Sequence, residues 1–163
     1  MRPSGKHVWA FLLVAAIAAA GVSFGTMRKL ELKDLTALAT HVVTGTVLSV
    51  VSGWTPEGSI ETKVRILSDE YLMGAPGDGT VNLAIPGGEV DGLGLAVSDM
   101  PKFVEGTRAL LFLAMADPRS PRVAGLHQGK FTLKQGKVVE NGMGENEFLG
   151  LIQAEIRSQK EAK

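Results

Sequence analysis

Cysteine is absent from this 163-residue chain. Its absence excludes a disulfide framework, a thiolate zinc site, a Cys nucleophile and a lipid-modified Cys behind a leader. A surplus of either charge is also missing, since 17 Lys and Arg balance 17 Asp and Glu. That balance argues against nucleic acid, which takes a basic face that releases counterions. It equally argues against attachment to a membrane surface by charge. There is no internal repeat and no low-complexity tract. Long apolar runs are limited to one, Val8 to Ala20, which is shorter than the ~20 residues of a spanning helix.

That run has a basic start (Arg2, Lys6, His7) and is followed by small residues at Ala18-Ala19-Ala20 and Ser23-Phe24-Gly25. Positive, then apolar, then small is the order of a secretory signal. Residues 1–25 are therefore expected to be a cleavable leader, with an uncleaved N-terminal anchor as the alternative. Residues 26–163 are expected to form one domain exported to the periplasm or beyond. Contact with a membrane is expected only through the leader, if it is uncleaved. Removing Arg2 and Lys6 with the leader leaves 15 basic against 17 acidic residues, a net charge near −2.

What the chain has in abundance is glycine, 20 residues, with 7 Pro and 45% hydrophobic residues. Much Gly between β-branched runs predicts short strands joined by tight turns. Met27 to His41 reads as a helix with Leu30, Leu35 and Leu38 on one stripe, and His41 closing it on dipole grounds. Val42 to Val51 reads as a strand with Val43, Val47 and Val51 facing one way, and Gly45 marks a bulge or bend. Gly53 to Gly58 is a turn. Ile60 to Leu67 alternates as a half-buried strand, with Ile60, Thr62, Val64 and Ile66 inward; Tyr71 and Leu72 extend the apolar set.

Beyond the turn at 74–79, Thr80 to Ile85 is a further strand with Val81, Leu83 and Ile85 inward. The segment from Pro86 to Gly106 is too Gly-rich for a long helix and reads as a surface loop. Gly106 to Ala116 is apolar on both faces around Ala109-Leu110-Leu111-Phe112-Leu113 and should be the most buried strand. Asp117-Pro118-Arg119-Ser120-Pro121 breaks it. Val123 to Leu126 and Gly129 to Leu133 are strands, and Gln135-Gly136 turns the chain into Val138-Val139 as a hairpin. Glu145 to Gln159 is an amphipathic helix with Phe148, Leu149, Ile152 and Ile156 as its stripe. The expected fold is a mainly β, small OB-like barrel with flanking N- and C-terminal helices. A β-sandwich is the alternative.

The segments VVTGTVLSVVSGW, ETKVRILSDEYLMG, TVNLAIPGG, GLAVSDMPKFVEGTRALLFL and VAGLHQGKFTL together resemble an uncharacterised family of exported bacterial proteins. That resemblance spans most of the mature chain and brings no site residues. The order of elements, with Tyr71-Leu72-Met73-Gly74 as a Leu-x-Gly turn, is also similar to the netrin-like OB barrel of tissue inhibitors of metalloproteases. Those inhibitors chelate the protease zinc through an N-terminal Cys that disulfides hold in place. Without Cys, this chain departs from them at that functional point, and the similarity implies a fold alone.

Residues able to carry chemistry are few. His127 stands between strands, where a satisfied turn residue is the plain reading and a polar group on a barrel mouth the alternative. Glu89, Asp91 and Asp99 share the 86–106 segment. Three loop carboxylates can gather a hard cation, but their spacing matches no calcium loop, and solvated acids are the plain reading. No His pair has the i, i+4 spacing of a helical zinc site. Ser98-Asp99-Met100-Pro101 is not a nucleophile elbow. Gly87, Gly88, Gly92 and Gly94 lack the following helix and Lys of a phosphate cradle.

No metal or cofactor is therefore expected. Phe112 and Phe148 should be core, whereas Trp54, beside a Gly/Pro turn, should be exposed as a ligand-facing aromatic. The expected function is a non-enzymatic binding module with a protein partner, contacting it through Glu89, Asp91, Asp99, His127 and Trp54. The alternatives are a metal-dependent hydrolase or metal-binding protein sited on the 86–106 loop, and a protease inhibitor.

Overall fold

A computed structural model describes residues 28–115 and 121–162. The leader assigned to 1–25, Met27 and the break at 117–120 lie outside the described residues. The fold is mainly β. Its elements in chain order are α1 (Leu32–Leu38), β1 (His41–Trp54), β2 (Ile60–Met73), β3 (Thr80–Pro86), β4 (Gly88–Val90), β5 (Leu93–Leu95), β6 (Arg108–Ala114), β7 (Arg122–Val123), β8 (Lys130–Lys134), β9 (Lys137–Val138) and α2 (Glu145–Glu161).

Seven strands form one antiparallel sheet in the order β3-β2-β1-β6-β8-β9, and β7 pairs with β6 beside β8. β4 and β5 make a separate hairpin. The described ladder does not close on itself. β1 and β2 are long, and their other partners are staggered. β6 pairs with the first half of β1, from His41 to Thr46. β3 pairs with Glu61 to Leu67 of β2, which lie opposite the far half of β1.

Register shifts at Val42/Val43, Thr44/Gly45 and Val47/Ser49 bend this pair, as bulges do. Gly45 marks a bulge as its sequence position implies. A Cβ there would stand 2.5 Å from the Leu67 carbonyl oxygen, so the strands approach more closely than any side chain permits. The slip at Val47/Ser49 also turns Val51 to solvent, against the expectation that it faces Val43 and Val47.

The two faces of the sheet bury separate clusters. On one, Val43, Val47, Val64, Ile66, Val81, Leu83, Ile85, Leu111, Leu113 and Val123 pack together, with Met100 and Phe103 against them. On the other, Val42, Leu110, Phe112, Leu133 and Val138 receive Leu35 of α1 and Phe148, Ile152 and Ile156 of α2. β6 feeds both clusters, and for that reason its five central residues are apolar and buried. Leu110, Leu111, Phe112 and Leu113 each contribute about 1.5–3 kcal/mol relative to exposure. Phe131 bridges Phe112 and Phe148, with ring centroids 6.0 and 4.9 Å away.

The N-terminal expectations need correction. The helix covers only Leu32–Leu38, and Leu38 is 53% exposed rather than part of the stripe. Arg28 and Leu30 are held in place instead by Gln128, whose side-chain amide donates to the Arg28 carbonyl at 3.1 Å and accepts from the Leu30 N–H at 2.7 Å. At the other end, the Thr40 N–H donates to the Leu113 carbonyl at 2.8 Å. That bond draws β-branched Thr40, Val42 and Val43 into the sheet. His41 therefore opens β1 and sets its ring edge-to-face with Tyr71; it does not cap a helix.

Two further readings change. The strand expected at 123–126 stops at Val123, because Gly125 turns left-handed (φ 67°) into a single 3-10 turn at Leu126–Gly129. The 86–106 segment is not all loop, since it contains the β4–β5 hairpin. Gln135-Gly136 (φ 53° and 71°) joins β8 to β9 as read, and α2 buries the expected face.

Candidate functional site

A concave feature lies between the far half of the β1–β2 pair and the 86–103 segment. Two glycines bring the segment onto the sheet. Gly87 (φ 97°) and Gly88 (φ 138°) follow β3, and both conformations favour glycine. A Cβ on Gly87 would come within 2.6 Å of the Leu95 carbonyl oxygen, and one on Gly88 would collide with the hydroxyls of Ser52 and Thr62. Those hydroxyls are bonded to each other at 2.9 Å, and the Thr62 hydroxyl donates to the Gly87 carbonyl at 2.6 Å. A side chain at either glycine would push the segment off the sheet.

The result is a groove of about 470 Å3. Val50, Val64 and Ile85 form its floor; Leu95, Val97 and Phe103 are among the residues of its opposite wall. Its polar lining comprises the Ser52–Thr62 pair, whose hydroxyls bond to each other and to Gly87, and the exposed Lys102. Glu105 braces the same region by accepting the Val50 N–H at 2.9 Å, at the bulge where β1 has slipped. The β4–β5 hairpin at the groove presents an apolar edge, with Leu93 59% exposed and Leu95 and Val97 also exposed.

The residues singled out from sequence fall in three places. Glu89 lies on β4 and Asp91 (φ 52°) in the turn of the hairpin, both exposed. Asp99 and His127 are brought together: the His127 N–H donates to the Asp99 carbonyl at 3.0 Å, and its Nδ1 is 3.7 Å from the Asp99 carboxylate. Both side chains are about half exposed, so water screens their interaction. Trp54 ends β1 and is 51% exposed, beside a smaller cleft that it shares with Thr55, Pro56 and Glu57. Among the described residues, no three His, Asp or Glu side chains gather as a metal-binding group.

Sequence reasoning passed over Ser52, Thr62, Leu95, Val97 and Phe103, which line the groove. One signal for the hairpin was present. Val90-Asp91-Gly92-Leu93 places Asp-Gly between two β-forming residues, the usual composition of a two-residue hairpin turn. Asp91 and Gly92 indeed both have positive φ, 52° and 76°. No protein-family model matches the chain, and no curated protein matches it.

Proposed function

We propose that this chain is an exported, non-enzymatic binding module that engages a protein partner through the groove beneath the 86–103 segment. The observation that carries the reading is the groove itself, about 470 Å3 with mostly apolar walls beside the exposed Leu93 and Leu95. A mostly apolar concavity with a few fixed polar groups is a general form of binding site. An exposed apolar rim beside it suits a macromolecular partner better than a small polar one.

Export is read from the leader-like order of residues 1–25. Among the described residues, no helix is long and apolar enough to cross a membrane. We read the bent, staggered sheet as an OB-like barrel with its ladder left open between β3 and β7. The partner presents apolar side chains that enter between Val50 and Val97.

The test is site-specific photo-crosslinking from position 95 in exporting cells, with a Leu93→Asp variant alongside. Leu93 is exposed and outside both cores, so the variant keeps its fold. A discrete protein adduct that is lost in Leu93→Asp is the expected result. No adduct, or an adduct indifferent to Leu93→Asp, overturns the reading.

A further inference from the structure

Two strands of the sheet, β3 and β7, each have one side unpaired among the described residues, and the two sides border the same clefts. In the β2–β3 ladder, the Gly87 N–H donates to Ile60 and the Ser68 N–H donates to Gly79. With the register Thr62↔Ile85, Val64↔Leu83 and Ile66↔Val81, these bonds fix the alternation of an antiparallel pair. Residues 81, 83, 85 and 87 are bonded to β2, and the N–H and C=O groups of Asn82 and Ala84 point away from it. The same logic applies across the gap. The Ala124 N–H donates to the Phe112 carbonyl, and Leu113↔Val123 is the neighbouring pair. The N–H and C=O of Val123 therefore point away from β6. Among the described residues, none of these six groups has a hydrogen-bond partner.

Two clefts follow this gap. One, of about 240 Å3, has Ala84, Ile85 and Pro86 on one side and Arg122 and Val123 on the other. The second, of about 410 Å3, has Thr80, Val81 and Asn82 facing Met115 and Pro121. Exposed edges are normally blunted by charge, bulges or proline. β3 reads TVNLAIP, with no charged residue, no register slip and proline only at its last position.

We infer that this gap is a strand-acceptor site, taking an extended peptide segment of a protein partner that pairs with β3 and closes the ladder towards β7. The inference rests on the protein-partner reading and uses an adjoining surface, which shares Ile85 and Pro86 with the groove but not Leu95. Rows of backbone donors and acceptors are matched by an extended polypeptide. Side chains of the added strand alternate. Those turned inward meet Val81, Ile85 and Val123, so they are apolar. Those turned outward lie between Lys63 and Arg65, cross-strand neighbours of Ala84 and Asn82, and Arg122 on the far side, with Glu61 the nearby acid. The ligand class is therefore an extended segment of alternating apolar and acidic residues.

The probe is a blocked octapeptide of alternating valine and glutamate, titrated against the mature protein by amide-resolved NMR and hydrogen exchange. Saturable shifts at Asn82, Ala84 and Val123 are expected, with exchange at these amides slowed at least ten-fold. Ala84→Pro removes one outward N–H and no ladder bond, a position where an edge strand tolerates proline. It should weaken the peptide at least ten-fold, while Ala84→Thr binds as the parent does. Should the proline variant unfold, Ala84→Glu keeps the N–H but repels the acidic peptide, and the same weakening is expected. A valine–lysine octapeptide should bind more weakly than the valine–glutamate one.

Slow exchange at Asn82 and Ala84 in the free protein overturns the inference, because the edge would already be paired. Peptide binding that is indifferent to both the proline and glutamate changes overturns it too. Crosslinking at position 95 does not pass through this edge, so failure of one proposal is read separately from failure of the other.

Discussion

Arg108 stands on the helix-covered face of β6 with two carboxylates on its guanidinium. Its Nε donates to Asp69 at 3.0 Å, and its Nη1 donates to Glu145 at 2.7 Å. The side chain thus ties β6 to β2 and to the first turn of α2, where an acidic residue also suits the positive end of the helix dipole. The hydrogen bond donated to Asp69, then that donated to Glu145, hold the guanidinium pKa above its ordinary value. A raised pKa gives stability that is complete below the unfolded value and is lost only as pH climbs through the folded one. For arginine both lie far above neutrality, so the Arg108 charge adds no slope from neutral to mildly alkaline pH. Arg108 is 42% exposed, and its ion pairs are therefore screened. Arg108→Gln should cost no more than ~1 kcal/mol. In urea denaturation the loss should shrink as salt is added and stay constant from neutral to mildly alkaline pH; a loss that grows with salt would refute this account.

At the scale of elements, the β4–β5 hairpin is held to the β1–β2 pair by a contact of backbone on hydroxyls, with no apolar interlock at that point. Gly88 is where the approach is closest, and its φ of 138° disfavours any other residue. Gly88→Ala should destabilise the protein by about 1–3 kcal/mol, combining backbone strain with displacement of the Ser52–Thr62 pair. Thermal unfolding measures the loss. Amide exchange should place the loosening first in residues 86–97, with α2 and β6 unaffected below the global transition; uniform loosening would contradict the assignment.

Other elements were legible where pattern and environment agreed. The alternation of Ile60 to Ile66, the doubly apolar run of β6, the Gln135-Gly136 turn and the stripe of α2 all match their sequence signals. The first helix was misread because Leu38 has the right spacing but no surface to meet, once Thr40 joins β6.

Over the whole molecule, the claim about place and the claim about partner stand on different parts of the chain. Export rests on residues 1–25, and N-terminal sequencing of the protein recovered from outside the inner membrane should find a start after Ala20 or Gly25. An intact Met1 on that material would instead mark an uncleaved anchor. The candidate binding surfaces rest on tertiary arrangement. Asp99 and His127 are 28 residues apart and meet only through folding. The groove joins Val50 to Phe103, and the open gap sets β3 against β7.

The sequence by itself determined a cysteine-free, mainly β core, the bulge at Gly45, the most buried strand and the terminal helix. These follow from local periodicity and from residues whose backbone freedom or bulk admits few environments. Only the tertiary structure decided where the glycine-rich segment lies, which hydroxyls it meets and which edges stay unpaired. Such features depend on register and stagger between strands distant in sequence, and no short-range pattern encodes how far one strand slides past another.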